Sequence, residues 1–401
     1  MKGHIRKRGE RSWSIVVDLG RGPDGKRKQK WHTVHGTKKD AERELARILH
    51  ELDSGVYIEP SKMSVGEYLE HWLDAYAKTS VSPKTYERYA GIVRKNVVPQ
   101  LGHIQLTKLQ PMQVQKFYSW SLQHGRLRGS GGLSEQSVVH IHRVLRKAFR
   151  QAVKWQLLGR NPIEAVSPPR VSHQEMRVLN PAEIEKLLVV LDDHPMRVPV
   201  IVALATGLRR GELLALRWSD VDISHRKLTV TRSLEQTKDG VTVKEPKTPH
   251  SRRTISLPEW VITPLKMHHV DQERRELVST HALNEGDFVF PNEDGEMWSP
   301  DRFTSLYRSA VRGSDFQDLR FHDLRHTHAT VMLLANVHPK VVSGRLGHST
   351  VAITLNTYSH VLPSMDEEAA GRLDAALPNL DKGGGESIPE PSERGFTKKT
   401  A

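Results

Sequence analysis

Residues 321–330 read FHDLRHTHAT, and this short stretch does most to decide how the chain folds and what it does. On a helix His322, Arg325 and His326 fall at positions i, i+3 and i+4, so they share one face. A titratable imidazole then lies beside a guanidinium. Two histidines four residues apart could also bind zinc. However, the glutamate of a His-Glu-x-x-His site is missing, and an arginine between the ligands would repel a dication, so we predict no metal site.

Three further motifs lie in the same half of the chain: ATGLRRGEL (205–213), EPKTPHSRRTI (245–255) and LGHSTVAITLNTY (346–358). The first follows an apolar run and places Arg209 at a break between two buried helices. In the second, strand-like residues flank Lys247, which predicts a position near the tip of a hairpin. The third contains His348 and, ten residues later, Tyr358. Taken singly, Arg209 and Lys247 would be surface residues and Tyr358 a core tyrosine.

Taken together, these residue types suit phosphoryl transfer. Arginine forks bind two oxygens of a phosphodiester through paired hydrogen bonds. A tyrosine hydroxyl has a pKa near 10 and needs help to become a nucleophile, and a histidine can take or return its proton near neutral pH. A lysine can protonate the departing 5′-oxygen. No Gly-x-x-x-x-Gly-Lys-Ser/Thr loop is present, so ATP and magnesium are not implied and we predict no cofactor.

The segment 175–375 resembles the catalytic domain of tyrosine recombinases, the phage-integrase family. The resemblance is carried, in order, by TGLRRGELLALRW, KTPHSRRTISLP, HDLRHTHAT and LGHSTVAITLNTYSHV. It implies phosphate-binding arginines at 209 and 325, a general acid at Lys247 and assisting histidines at 322 and 348. Tyr358 would be the nucleophile, leaving a 3′-phosphotyrosyl link and a free 5′-hydroxyl. Glu212 would brace the first arginine motif.

The overall composition excludes several classes of protein and suggests a class of partner. The chain has 401 residues, 37% of them hydrophobic, and a mean hydropathy of -0.53, which excludes wholesale disorder and membrane spans. Zero cysteines exclude disulfides and thiolate chemistry. No apolar segment follows the basic N-terminus, so we expect no signal peptide. The net charge of +13 favours a polyanionic partner such as nucleic acid, although a solubility surplus would also explain it.

Turn signals, charge and apolar spacing divide the sequence into four segments. The predicted fold class is multidomain, mainly α with small β-sheets. Residues 1–57, very basic at the start, predict a three-stranded sheet backed by a helix, resembling an arm-type DNA-binding domain. Residues 58–168 predict a helical core-binding domain. Residues 175–380 predict a mixed α+β catalytic domain. Residues 381–401 are rich in Gly, Pro, Ser and Glu, which predicts a disordered tail.

Local signals support the helical segments. Ser64 and Glu67 form a capping box, Ser82-Pro83 starts a second helix, and Asn180-Pro181 with Glu183 starts a third. Another helix places apolar residues on one face from Ile141 to Val153 at helical spacing. Its other face is cationic, which fits either phosphate contact or a solvated surface; the residues are Arg143, Arg146, Lys147, Arg150 and Lys154.

The resemblance also implies assembly and a cellular setting. Double-stranded DNA attachment sites would be the substrate, a homo-tetramer would synapse two of them, and accessory proteins could bend the DNA or set direction. A helix after Tyr358 would pack on a neighbouring protomer or on its own domain. We expect a cytoplasmic, nucleoid-associated protein. Two alternatives stay open: a monomeric type I topoisomerase, and a catalytically silent DNA-binding regulator.

Overall fold

The computed structural model describes residues 3–21, 27–53, 62–127, 129–172, 176–245, 252–278, 287–358 and 365–377. The chain divides into two compact units, residues 1–174 and 175–401. Helices dominate, and the described strands form small antiparallel sheets, so the predicted fold class is confirmed. The predicted tail at 381–401 lies outside the described residues.

The N-terminal part is a three-stranded antiparallel sheet with one helix against it. Its elements are β1 (Gly3–Gly9), β2 (Ser12–Arg21), β3 (Arg27–His35) and α1 (Lys38–Asp53). Alternation along β2 directs Ile15 and Val17 toward α1, where they pack with Ile48. On the other face of the sheet, the guanidinium of Arg6 lies 5.6 Å from the ring centre of Trp31.

Residues 62–172 form a bundle of helices. The bounds are α2 (Val65–Trp72), α3 (Lys78–Ser80), α4 (Pro83–Ile92), α5 (Val98–Leu101), α6 (Pro111–His124) and α7 (Glu135–Lys154), with 3-10 turns at Leu106–Lys108 and Pro162–Ala165. The predicted capping box is present, because Glu67 N–H donates to Ser64 Oγ at 3.2 Å and Ser64 N–H donates to Glu67 Oε2 at 2.7 Å. One face of α7 is buried and apolar, as its spacing predicts.

Two π-helical turns interrupt this bundle, at Leu73–Ala77 and Val93–Val97, and the apolar spacing of the sequence does not predict them. The second immediately precedes α5, which carries Pro99. A proline has no N–H to donate and its ring clashes with the carbonyl one turn back, so a wider turn before it relieves the crowding.

The second unit contains nine described α-helices and two small sheets. The helices are α8 (Pro181–Val190), α9 (Arg197–Thr206), α10 (Arg210–Leu214), α11 (Glu259–Val278), α12 (Pro300–Ala310), α13 (Asp323–Leu334), α14 (Pro339–Leu346), α15 (Val351–Tyr358) and α16 (Met365–Ala376). One sheet joins β4 (Val221–Asp222), β5 (Lys227–Val230) and β8 (Arg253–Ser256), and the other joins β6 (Ser233–Thr237) and β7 (Gly240–Lys244); a 3-10 turn spans Trp218–Asp220.

Helix α9 is the centre of this unit. It is buried from Pro199 to Thr206, and it packs against α11 on one side and α13 on another. A helix that is apolar all round belongs in the interior, where both neighbours cover it. Its C-terminal end therefore delivers the 207–209 turn to the side of α13, and this meeting of buried elements positions the site described next.

Candidate active site

Arg209 lies at the turn between α9 and α10. The turn requires Gly207, whose φ of 65° is left-handed, and a Cβ there would come within 2.7 Å of the His328 ring. Arg209 donates from Nη1 to Glu212 Oε1 at 2.7 Å and from Nη2 to the Gly347 carbonyl at 3.0 Å. Its side chain is 40% exposed, so the guanidinium is held in place yet stays accessible to a ligand.

Arg325 lies on the first turn of α13 and is buried. It binds both the turn that follows α9 and the end of α14. Its Nη1 donates to the Gly207 carbonyl at 2.6 Å and its Nη2 to the Leu346 carbonyl at 2.7 Å, and only 4% of the residue is exposed. Burial, helped by the charge of Arg209, lowers the pKa of Arg325 to about 9. The group is still a cation at neutral pH. Two positive charges held at adjoining turns favour a bound anion.

Glu212 braces this cluster. Its carboxylate accepts hydrogen bonds from Arg209 and also from Arg253 on β8, at 2.8 Å from Nη2 and 3.2 Å from Nη1. Burial disfavours the charged carboxylate, but the hydrogen bond and charge of Arg253 and the charge of Arg209 outweigh it, so the pKa of Glu212 is lowered. Arg253 in turn donates from Nε to the Arg345 carbonyl at 2.6 Å. The small sheet is thereby tied to the turn at 346–347.

The two predicted histidines lie on different elements, and the charge of Arg325 acts on both. His348 follows Gly347, and its Nδ1 lies 2.8 Å from Thr354 Oγ1, which leaves the Nε2 edge for another partner. Burial and the charges of Arg325 and Arg209 lower the pKa of His348 to about 4. His322 lies at the start of α13 and keeps part of its surface open to solvent. Desolvation of the covered part of its ring, followed by the charge of Arg325, lowers its pKa. Both imidazoles are therefore neutral at pH 7.

Tyr358 ends α15, with 1% of the residue exposed. Its hydroxyl lies 2.8 Å from Nδ1 of His326, the residue that follows Arg325 in the chain. Burial raises the pKa of Tyr358 to about 12, and the charge of Arg325 partly opposes this rise. Burial also lowers the pKa of His326 to about 4, so this imidazole is neutral. The phenol and Arg325 therefore belong to one electrostatic cluster within a single chain.

Lys247, the remaining predicted residue, lies outside the described residues. The structure describes β7 up to Lys244 on one side of it and β8 from Arg253 on the other. These strands belong to different sheets, because β7 pairs with β6 and β8 pairs with β5.

Two residues of the cluster carry only a weak signal in the sequence. His326 is marked by its spacing from His322, and Arg253 by its place in the KTPHSRRTISLP motif. The spacing of His322 and His326 puts both rings on one face, with centres 5.0 Å apart, but nothing in the sequence names Tyr358 as the partner. Arg253 could have been suspected only from its place in that motif.

The arrangement has the groups that phosphoryl transfer to a tyrosine requires. Two fixed guanidinium groups can bind an anion, neutral imidazoles can share or accept protons, and a buried phenol stands beside one of them. Among the described residues, no group of three or more His, Asp or Glu side chains is arranged to hold a metal ion.

Three family models match the chain in succession. Residues 4–52 match an arm DNA-binding domain, residues 64–120 an N-terminal SAM-like domain of phage integrases, and residues 177–365 the phage integrase family. The chain belongs to the phage integrase family of tyrosine recombinases. It is accordingly a tyrosine-type site-specific recombinase, and the recognition made from the four sequence motifs is confirmed.

Relatives match this chain over nearly their whole length, and solved integrase structures share its fold. The recombinase is 28% identical to a XerC-like tyrosine recombinase of Caldanaerobacter subterraneus, over 93% of this chain and 98% of that one. It is 25% identical to the ICEBs1 integrase of Bacillus subtilis, over 93% and 100%. The fold is similar to the Tn1549 transposon integrase in complex with a circular intermediate DNA, with a TM-score of 0.64, 21% identity, and coverage of 78% and 99%. A lambda integrase dimer bound to a core site gives a TM-score of 0.54 at 18% identity, with coverage of 88% of this chain and 93% of that one.

Within the described ranges, every helix falls short of the length and apolar character that a membrane crossing requires.

Proposed function

We propose that this recombinase cuts and rejoins double-stranded DNA at the attachment sites of a mobile element, integrating or excising that element in the cytoplasm. The relatives named above include integrases, and the similar solved structures hold DNA. The chain carries a net charge of +13. A cationic protein that neutralises phosphates gains affinity by releasing counterions, so this charge supports the proposed substrate.

Helix α7 supplies a surface suited to that substrate. Four cations on it are exposed, opposite the buried face: Arg143, Arg146, Arg150 and Lys154. Lys147, on the same helix, lies 5.3 Å from the ring centre of Tyr89. Side chains at these spacings form a stripe along one side of a helix, as contact with a phosphate backbone requires.

At the scissile phosphate, we assign the two non-bridging oxygens to Arg209 and Arg325. Arg209 is held by a carboxylate and a carbonyl oxygen, and Arg325 by two carbonyl oxygens, so little further ordering is needed when the phosphate binds. Preorganised cations of this kind stabilise the charge that develops on the phosphorane. His322 and His348 would hydrogen-bond the same oxygens and assist proton transfer.

Tyr358 would attack the phosphorus. The phenolic proton passes to an imidazole of the cluster as the bond from the phenolic oxygen to phosphorus forms. The bond from phosphorus to the 5′-oxygen breaks, with Lys247 giving that oxygen a proton. The product is a 3′-phosphotyrosyl link and a free 5′-hydroxyl. This link retains the energy of the phosphodiester, so a 5′-hydroxyl of another strand can reverse the step without a nucleotide cofactor.

One observation supports this assignment above the others: the buried hydroxyl of Tyr358 meets α13 at His326, next to Arg325, within one chain. Among the described tyrosines that are fully buried, Tyr68 donates instead to the Ala148 carbonyl, at 2.6 Å. Tyr307 packs edge-on against Phe321. Tyr118 also meets a histidine, His142, at 3.1 Å, but it lies within the helical bundle. Tyr358 instead lies beside Arg325, whose charge acts on its pKa.

The decisive experiment compares Tyr358→Phe with Tyr307→Phe on a nicked substrate that traps covalent protein–DNA adducts. Tyr307 is an apt control because it is buried and its hydroxyl has no hydrogen-bond partner among the described residues. We expect Tyr358→Phe to abolish adducts and keep DNA binding, while Tyr307→Phe keeps both. Adducts that survive Tyr358→Phe would refute the nucleophile.

The same preparation separates the alternatives. Relaxation of plasmids that carry no specific site would favour a type I topoisomerase. Complete failure to form adducts on any trapping substrate, with binding intact, would favour a DNA-binding regulator.

We also propose that four protomers synapse two sites, with α16 docking on a neighbouring protomer and with accessory proteins that bend the DNA. The residues from Ala370 to Leu377 are exposed, including Leu373 at 60% and Leu377 at 48%. Apolar side chains left open on a helix suit a contact with a second copy. Removal of residues 365–401 should leave binding to a single site intact and abolish the four-protomer species, measured by light scattering. A tetramer that persists would overturn the docking.

A further inference from the structure

The contact between His326 and Tyr358 is the feature of the site that the assigned roles leave unused. Nδ1 lies 2.8 Å from the phenolic oxygen, and the ring centres are 5.8 Å apart. The two residues come from different helices, α13 and α15, separated by 32 positions. Tyr358 is almost completely buried, so its hydroxyl cannot exchange this partner for bulk water.

The chemistry of the pair sets the direction of the hydrogen bond. At neutral pH the imidazole is neutral, because burial, and next the nearby His322, lower the pKa of His326 to about 4. The phenol is also neutral, because burial raises its pKa to about 12. Of the two, phenol is the better donor and an unprotonated imidazole nitrogen is the better acceptor. The hydroxyl therefore donates to Nδ1, and the ring carries its own proton on Nε2.

We propose that His326 is the general base of the cleavage step, taking the Tyr358 proton on Nδ1 as the phenolic oxygen attacks phosphorus. The inference rests on the proposed function, and it adds a catalytic residue to the six assigned from the sequence. It also divides the proton transfers between two sides of the phosphate. His326 serves the attacking oxygen, and Lys247 serves the departing one.

The step balances as follows. The O–H bond of Tyr358 breaks as an N–H bond forms on Nδ1, and the phenolic oxygen bonds to phosphorus as the 5′-oxygen leaves with a proton from the acid. His326 becomes an imidazolium. In the rejoining step the incoming 5′-hydroxyl gives its proton back to the acid as its oxygen bonds to phosphorus. The imidazolium returns its proton to the departing phenolic oxygen, which restores both neutral side chains.

The surroundings of His326 explain why such a base would act only with DNA bound. His322, Arg325 and Arg320 disfavour its protonation, Asp323 favours it, and Tyr358 faces it from α15. Asp323 is itself paired with Arg320, at 2.7 Å. In the free protein, then, the balance opposes the imidazolium. A bound phosphate adds negative charge beside the cluster, and the phosphorane adds more, so the proton is taken when the reaction needs it.

The test measures single-turnover adduct formation by His326→Asn on a trapping half-site. Asparagine places an acceptor near the position of Nδ1 but cannot take a full proton. We expect adduct formation at pH 7 to slow by about 10²–10⁴-fold, the range for loss of a general base, with unchanged DNA binding. The deficit should shrink as pH rises, because hydroxide can then remove the phenolic proton. A rate within threefold of the parent across the pH range would overturn the proposal.

A second measurement distinguishes the attacking side from the leaving side. A 5′-bridging phosphorothiolate supplies a leaving group that needs no proton donor. Loss of the acid should be rescued on that substrate, whereas the His326→Asn deficit should persist. Full rescue of His326→Asn would place its action on the leaving oxygen and contradict our assignment. For His326→Ala we expect added imidazole to restore adduct formation in a saturable manner, and an absence of rescue in a folded variant would count against the base.

His225→Asn provides the matched control, because this histidine is exposed and pairs with Asp222 away from the cluster. We expect it to react like the parent. Tyr358→Phe is run alongside. Adducts that still form in Tyr358→Phe would defeat the proposed function itself. Adducts that require Tyr358 but form at the parental rate in His326→Asn would defeat only the present inference.

Discussion

The helical bundle at 62–172 and the cluster around Arg325 bury very different side chains. In the bundle the buried layer is apolar, from Val65 to Val166, with few polar members. The cluster instead buries a carboxylate, a guanidinium and an imidazole close together, in Glu212, Arg325 and His328. Burying charges costs free energy unless they are paired, and here the carboxylate and the guanidinium each have partners. The bundle is thus organised for stability, and the cluster accepts a stability cost in order to hold preorganised charges.

The largest expected effect comes from changing the buried arginine of the cluster. Arg325→Lys keeps a cation, but one ammonium nitrogen cannot reach the Gly207 and Leu346 carbonyls with the fork geometry of a guanidinium. We expect adduct formation to slow by about 10³-fold, equivalent to ~4 kcal/mol, as when a donor to transition-state charge is lost. Single-turnover cleavage measures this.

Arg312→Lys, an exposed position in the same unit, is the control and should cleave normally. A loss smaller than tenfold for Arg325→Lys would show that the fork geometry matters less than the charge.

The next effect belongs to the bundle and should appear in stability. Leu145 on α7 is fully buried, so Leu145→Ala removes apolar contacts and leaves a cavity. We expect the free energy of unfolding to fall by about 3 kcal/mol, measured by urea denaturation. Leu127→Ala, at a position 60% exposed, should change it little. Equal effects from both leucines would contradict the assigned core.

The same contrast explains what the sequence could predict. Helical spacing and capping boxes are local signals, so the buried face of α7 and the start of α2 were predicted and are confirmed. The π-helical turns were not, because i to i+5 bonding depends on crowding that the apolar pattern does not encode. For the site, the motifs identified Arg209, Arg325 and Tyr358, and the structure brings their elements together.

The contacts that complete the cluster could not be read from spacing. Tyr358 meets His326, and Glu212 meets Arg253, across 32 and 41 positions of chain. Such pairs depend on which faces of α15 and β8 turn inward, and that is decided by packing around α9. The roles of the six assigned residues stay predictions, Lys247 included, until the variants are measured.

The smallest expected effect is a loss of folding stability at acidic pH. His328 is 6% exposed, and its Nδ1 donates to the Leu204 carbonyl at 2.7 Å. Burial lowers the pKa of His328 to about 4, despite that hydrogen bond. The unfolded chain binds a proton near pH 6.5 and the folded chain does not, so stability is lost as pH falls through 6.5 and the loss levels off near pH 4.

Between pH 7 and pH 5 this one group should lower the free energy of unfolding by about 2 kcal/mol. In His328→Asn the side-chain amide can keep the bond to Leu204 without titrating, so its stability should depend less on pH by that amount. Urea denaturation at both pH values makes the comparison, with His225→Asn as the exposed control. If His328→Asn loses as much stability on acidification as the parent, His328 is not the group that titrates, and the sensitivity to acid arises elsewhere in the chain.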